Sequence, residues 1–228
     1  MSKNNFLITI ENVNRMLEKA KEKAETIQIL CEKGDIYEAY DESFNLEALA
    51  EKLVLNTRML PAYTGNPRAT QKVTSIMKQE IPVKIGYTEE GWFSIRLPLL
   101  LPKKGKGSTD YVKDILYPAM SEYFKNHTDI RKRYSGAVLI FRHVYTENRP
   151  ERLKRDHDNI EVNTVSDIVA LYVLIDDAPA YCSHFYCSAV GNEERTEVYV
   201  VPREELAFWL ERENKMPNEG VLLYERKK

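Results

Sequence analysis

The chain has 228 residues, 43% hydrophobic and 30% charged, a balance that suits a soluble globular protein of one large domain or of two. Its three cysteines, Cys31, Cys182 and Cys187, are too few and too scattered for a disulfide framework or a four-ligand zinc site. The first residues lack a signal-peptide pattern and no apolar run approaches membrane-spanning length, so a reducing cytoplasm is the expected location and no membrane is expected as a partner.

The net charge is only −2, but its distribution is uneven. Residues 71–155 hold 17 basic and 9 acidic groups, a net of +8; residues 156–228 hold 7 basic and 15 acidic groups, a net of −8. Such asymmetry suggests a local surface for a polyanion beside an acidic cluster.

Residues 10–33 are expected to form a helix with a heptad seam of Val13, Leu17, Ala20, Ala24, Ile27 and Cys31, stopped at Gly34. A second helix is expected over 44–59, with Leu46, Leu49, Ala50, Leu53, Val54 and Thr57 on one face. Pro61, Gly65 and Pro67 then break the chain, which separates a helical hairpin (1–70) from a main domain (71–228).

Strands are expected over 81–87 and 92–101, around the turn Thr88-Glu89-Glu90-Gly91. A basic loop with Lys103, Lys104 and Lys106 follows, then an amphipathic helix over 110–126 that Ser108 or Thr109 can cap. Residues 136–145 read as a strand and 149–155 as a basic approach. A helix is expected from Asp158 to about Ala170, with Asp158 as N-cap and Glu161 completing a capping box. Two strands (181–190 and 196–201) and a short helix after Pro202 complete the order. The fold class is therefore α/β (α+β): a mixed sheet with packed helices, preceded by a helical hairpin.

The chemistry is concentrated in Asp156-His157-Asp158-Asn159 and in Asp176-Asp177, with 19 positions from Asp158 to Asp177. Phosphodiester cleavage with Mg²⁺ calls for hard oxygen ligands, which aspartates provide. Arg152, Lys154 and Arg155 lie just upstream, where they can hold a phosphate backbone. An unbroken helix from 159 to 176 would hold Asp158 and Asp177 roughly 27 Å apart. Either the helix ends near Ala170 and the chain runs back, or Asp177 joins the aspartate pair of a second subunit.

Asp156-His157-Asp158-Asn159, the apolar helix, and Leu174-Ile175-Asp176-Asp177 before a strand resemble the RusA-type Holliday-junction resolvases of bacteria and their phages. The resemblance covers roughly residues 80–201 and implies a homodimer that nicks branched DNA in recombination and repair. It implies Asp156, Asp158 and Asp177 as the catalytic and metal-binding aspartates, Asp176 as their neighbour, and Mg²⁺, or Mn²⁺, as cofactor. Lys103, Lys104, Lys106, Arg152, Lys154 and Arg155 are the expected DNA-binding residues. One position departs from the family: its lysine four residues after the second aspartate is Val162 here, so Val162→Lys is expected to speed cleavage. The alternatives are a catalytically impaired RusA-like module that binds DNA or protein, another metal-dependent nuclease or phosphotransferase, and an interaction protein whose N-terminal helices bind a partner.

Overall fold

The computed structural model describes residues 2–66, 68–105, 107–127, 133–151 and 154–225. The chain divides into two compact units, Met1–Ile76 and Met77–Lys228.

The first unit is built on α1 (Ser2–Lys33) and α2 (Ile36–Tyr63). Gly34 turns the chain between them at φ +83°, a left-handed conformation that glycine adopts without a Cβ penalty. Lys23 pairs with Glu42 at 2.7 Å, and Asn56 reaches Met16, so the two helices run antiparallel along each other. The seam differs from the expected one. Val13, Ala20 and Ile27 face inward, but Met16, Lys23 and Leu30 alternate with them, while Leu17, Ala24 and Cys31 point outward. Both frames share every seventh residue, and partner contact selects the frame that apolarity alone does not. On α2 the inner positions include Leu46, Leu49 and Leu53, with Ala50, Val54 and Thr57 exposed. Helix α2 continues through Pro61 to Tyr63, into sequence expected to break the chain, and a further helix not expected from the sequence, α3 (Ala69–Glu80), follows.

The second unit is a five-stranded mixed sheet in the order β1-β2-β5-β3-β4. Its strands are β1 (Lys84–Tyr87), β2 (Phe93–Leu97), β3 (Ala137–Thr146), β4 (Cys182–Gly191) and β5 (Arg195–Pro202). Strand β3 pairs parallel with β4 and antiparallel with β5, so β4 closes one edge of the sheet. The parallel pair is joined by α5 (Asn163–Val173), a crossover of the kind that parallel strands require.

Alternate residues of β3 serve two cores, as the period of a strand dictates. Val138 and Ile140 pack with Trp92, Tyr199, Val201 and Trp209, the last from α6 (Leu206–Glu213). The opposite face receives α4 (Ser108–Asn126) and α5, which meet through the stacked rings of Phe124 and Tyr172, 5.1 Å apart. Beneath α6 lies a buried ionic network. Glu197 takes hydrogen bonds from Arg142 at 2.9 Å, Arg195 at 2.7 Å and the Tyr199 hydroxyl at 2.8 Å. Burial penalises the Glu197 carboxylate, but the Arg142 and Arg195 guanidinium groups outweigh it and hold its pKa below the ordinary value. The C-terminal segment is latched over this region by a Tyr87–Tyr224 bridge and by the Arg96 side chain donating to the Glu219 and Val221 carbonyls.

Candidate functional site

Two local features differ from the helix starts expected around the aspartate motif. Helix α4 begins after Gly107, which is left-handed at φ 92°, and no side chain caps it. Helix α5 begins at Asn163 after Val162, so Asp158 is not its N-cap. Residues His157–Asn159 form one 3₁₀ turn instead. Glu161 is drawn away from a capping box by three hydroxyls. Ser108 donates to it at 2.7 Å, Thr164 at 3.0 Å and Thr109 at 3.4 Å. Burial pushes this carboxyl upward, and the hydrogen bonds outweigh burial, leaving its pKa below the ordinary value.

The same contact region binds the basic loop to the motif. Lys103 and Ile160 form an antiparallel bridge, Glu161 N–H donates to the Pro102 carbonyl at 2.9 Å, and Lys104 N–H donates to the Asn159 carbonyl at 2.9 Å. The Lys104 ammonium also donates to the Asp158 carbonyl at 2.9 Å. Two segments more than fifty residues apart thus form one short ribbon, with exposed lysines on one strand and the exposed Asp156 and Asp158 on the other.

His157, between the two aspartates, is turned onto the sheet. Its ring lies 5.9 Å from Tyr186 and 5.8 Å from His143, and its Nε2 is 3.1 Å from the Ser188 hydroxyl. His143 is wholly buried, and neither ring nitrogen has a hydrogen-bond partner among the described residues. Burial first, then the charges of His157 and Arg155, lower its pKa to about 3. It is therefore a neutral imidazole beneath the motif loop.

The remaining expected site residues have different surroundings. Arg155 is directed inward, its guanidinium donating to the Leu101 carbonyl and its N–H to the Tyr145 hydroxyl at 3.0 Å. Lys154 pairs with Glu151 at 2.5 Å. Lys106 and Arg152 lie outside the described residues. Asp176 caps a turn by accepting the Ala178 N–H at 2.9 Å. Asp177 is exposed at the other end of the crossover, after α5. Burial, then the charges of Asp177 and Glu161, push the Asp167 carboxyl upward, and Asp177 opposes the lowering of His184 by burial. Asp177 thus stands near Asp167 and His184, and His157 of the motif stands over Ser188.

The donor chemistry suits a hard divalent cation, because all the expected ligands are carboxylates. Among the described residues, no group of three or more His, Cys, Asp or Glu side chains is placed to hold a metal ion. Val162, at the position where RusA proteins have lysine, is 3% exposed, so a lysine there would carry its ammonium into the core. This opposes the expected gain from Val162→Lys. Sequence reasoning overlooked His143, Asp167, His184 and Tyr186. The available signal was the alternation His184, Tyr186, Ser188 on one face of a strand, which acquires meaning only once His157 is known to lie on it.

Among the described residues, no helix is long and apolar enough to cross a membrane. Searches of curated proteins and of solved structures returned no match. A family model matches residues 2–226, spanning both units, and the chain thus belongs to the family described as a family of unknown function (DUF6100).

Proposed function

We propose that this protein is a RusA-like, structure-selective endodeoxyribonuclease of the cytoplasm that acts on branched DNA as a homodimer with Mg²⁺. The observation that carries the proposal is the ribbon pairing Lys103–Lys104 with Asp158–Ile160. It sets exposed cations, suited to a phosphate backbone, directly beside exposed carboxylates, suited to the scissile phosphate's metal. The β3–α5–β4 crossover supports the same proposal, since it places an Asp-x-Asp loop after one strand and Asp176-Asp177 before the next. Lys103 and Lys104 position the DNA. Asp156, Asp158 and Asp177 are the residues proposed to hold the ion, which when bound would activate water and stabilise the leaving oxygen.

This same observation favours a second reading, a catalytically impaired RusA-like module that binds DNA or protein. A labelled four-way junction and a plain duplex, incubated with the full chain with and without Mg²⁺ or Mn²⁺, separate the two. Paired nicks in the junction that depend on the metal are the expected result. Salt-sensitive junction binding with neither metal supporting cleavage would transfer the conclusion to the impaired module.

A further inference from the structure

We infer that the helical hairpin pairs with a second copy of itself along one uncharged flank, forming an antiparallel four-helix bundle with both Gly34 turns at the same end. The pairing is independent of the nuclease reading.

The hairpin by itself buries little. Among the described residues of α1 and α2, Val13 and Ala39 are the only buried hydrophobic side chains. Two helices joined by one narrow seam do not make a stable core. The apolar stripe is wider than that seam. On α1, Leu17, Ala24 and Cys31 each follow a seam residue and stay exposed; on α2, Ser43, Ala50 and Thr57 do the same. Antiparallel helices present equivalent heptad rows on the same side, so these two rows form one flank. The opposite flank is polar, with Asn12, Lys19 and Thr26 beside Glu38, Asn45 and Lys52. A third uncharged row beside the seam suits a helix bundle. The hydroxyls on this flank are already satisfied: Ser43 donates to the Ala39 carbonyl at 2.8 Å and Thr57 to the Val54 carbonyl at 2.9 Å. Covering them leaves no donor unpaired.

Area and charge both fit a second copy. From Ile10 to Cys31 the flank is roughly 32 Å long, and two helices make it roughly 20 Å wide. Face-to-face pairing would bury roughly 1,200 Å² over both copies, which reaches the range of specific interfaces. In the next row outward, Lys21 and Glu47 are the only charged residues between Leu7 and Pro61. The contacts Lys23–Glu42 and Met16–Asn56 bracket them, so both stand at one height along the hairpin. With the turns at the same end, α1 of each copy lies on α2 of the other, and Lys21 meets Glu47 at both contacts. With the turns at opposite ends, each helix lies on its own duplicate, and Lys21 finds only another Lys21 or uncharged neighbours. The same-end arrangement also sets Leu17, 48% exposed, in a layer with Ala50, and Ile36, 59% exposed, in a layer with Cys31. Large side chains thus face small ones, as a packed bundle core requires.

The test uses the full chain. Sedimentation should give a dimer, and Leu17→Glu with Ala50→Glu should give a monomer by setting charges into the covered flank. Circular dichroism follows the helices in each variant. Lys21→Glu and Glu47→Lys alter exposed positions and leave the seam intact. Each alone should raise the dimer Kd roughly tenfold, because like charges replace attraction at both contacts. Both in one chain should restore the wild-type Kd. A short bismaleimide should link two chains through Cys31 when the turns share an end, and Cys31→Ser should abolish the link. Opposite-end packing would hold the two thiols roughly 30 Å apart and give no link. A monomeric wild type, a dimer that survives Leu17→Glu with Ala50→Glu, a double charge swap no tighter than the single ones, or no Cys31 link would overturn the inference.

Discussion

The Ser108 hydroxyl donates to Glu161 at 2.7 Å and thereby ties the first turn of α4 to the end of the aspartate loop. The carboxylate is 7% exposed, and its remaining partners are Thr164 and Thr109. Ser108 also takes part in the turn at Gly105, so one hydroxyl fixes both strands of the basic–acidic ribbon.

Ser108→Ala should therefore cost about 1–3 kcal/mol, the expense of leaving a buried carboxylate short of a donor, measured by urea unfolding. Because the folded pKa of Glu161 is lowered, its contribution is present above the ordinary carboxylate range and is lost as pH falls through the folded value. The difference between wild type and Glu161→Gln should accordingly shrink on acidification. A constant difference from pH 7 to pH 3 would contradict the assignment.

His143 gives acid sensitivity of another kind. Its pKa is lowered to about 3, so the folded chain holds it neutral while the unfolded chain protonates near the ordinary histidine value. The sign follows: stability is complete above about pH 6.5 and falls by roughly 1.4 kcal/mol per pH unit below it, until the folded value is reached. His143→Phe should remove this dependence. Parallel unfolding curves of wild type and variant at pH 7 and pH 5 provide the check, with the gap moving in favour of the variant at pH 5.

Glu197 is the centre of the ionic network and is 1% exposed. Glu197→Ala should cost about 3–5 kcal/mol, because Arg142 and Arg195 would keep their charges without their carboxylate. Replacing Arg142 and Glu197 together with apolar residues should cost less than the sum of the single changes. A double-mutant cycle in urea decides whether that coupling exists.

Asp156→Asn and Asp158→Asn should each abolish junction cleavage while binding persists or tightens, since the amide removes both a metal ligand and a charge that repels phosphate. Lys103→Gln with Lys104→Gln should weaken junction binding and lower the salt slope by about 2, one unit for each lost phosphate contact. Val162→Lys should destabilise the fold rather than speed cleavage, given its buried position. Titration of labelled junction at several salt concentrations measures the first two effects, and thermal unfolding measures the third.

The sequence alone determined much of the order of elements. The turn at Gly34, the Thr88–Gly91 turn, the run of Val, Ile, Phe and Tyr along β3 and the apolar face of α4 are local properties, expressed by neighbours within a turn or a strand. It also singled out the aspartates, because their types and spacing are written in the chain. The continuation of α2 through Pro61 and the helix α3 that follows the break residues were not legible from local break signals. Nor was the inner frame of α1, where Met16 and Leu17 are equally apolar and only the partner helix chooses. Nor were the partners of Glu161, which besides Thr164 at the start of α5 accepts from two hydroxyls on α4 some fifty residues away. The same is true of Arg155, legible as a cation but turned inward by the Leu101 carbonyl. Sequence specifies which groups are charged; only the tertiary structure decides which of those charges reach solvent, because burial and hydrogen-bond partners come from segments far away in the chain.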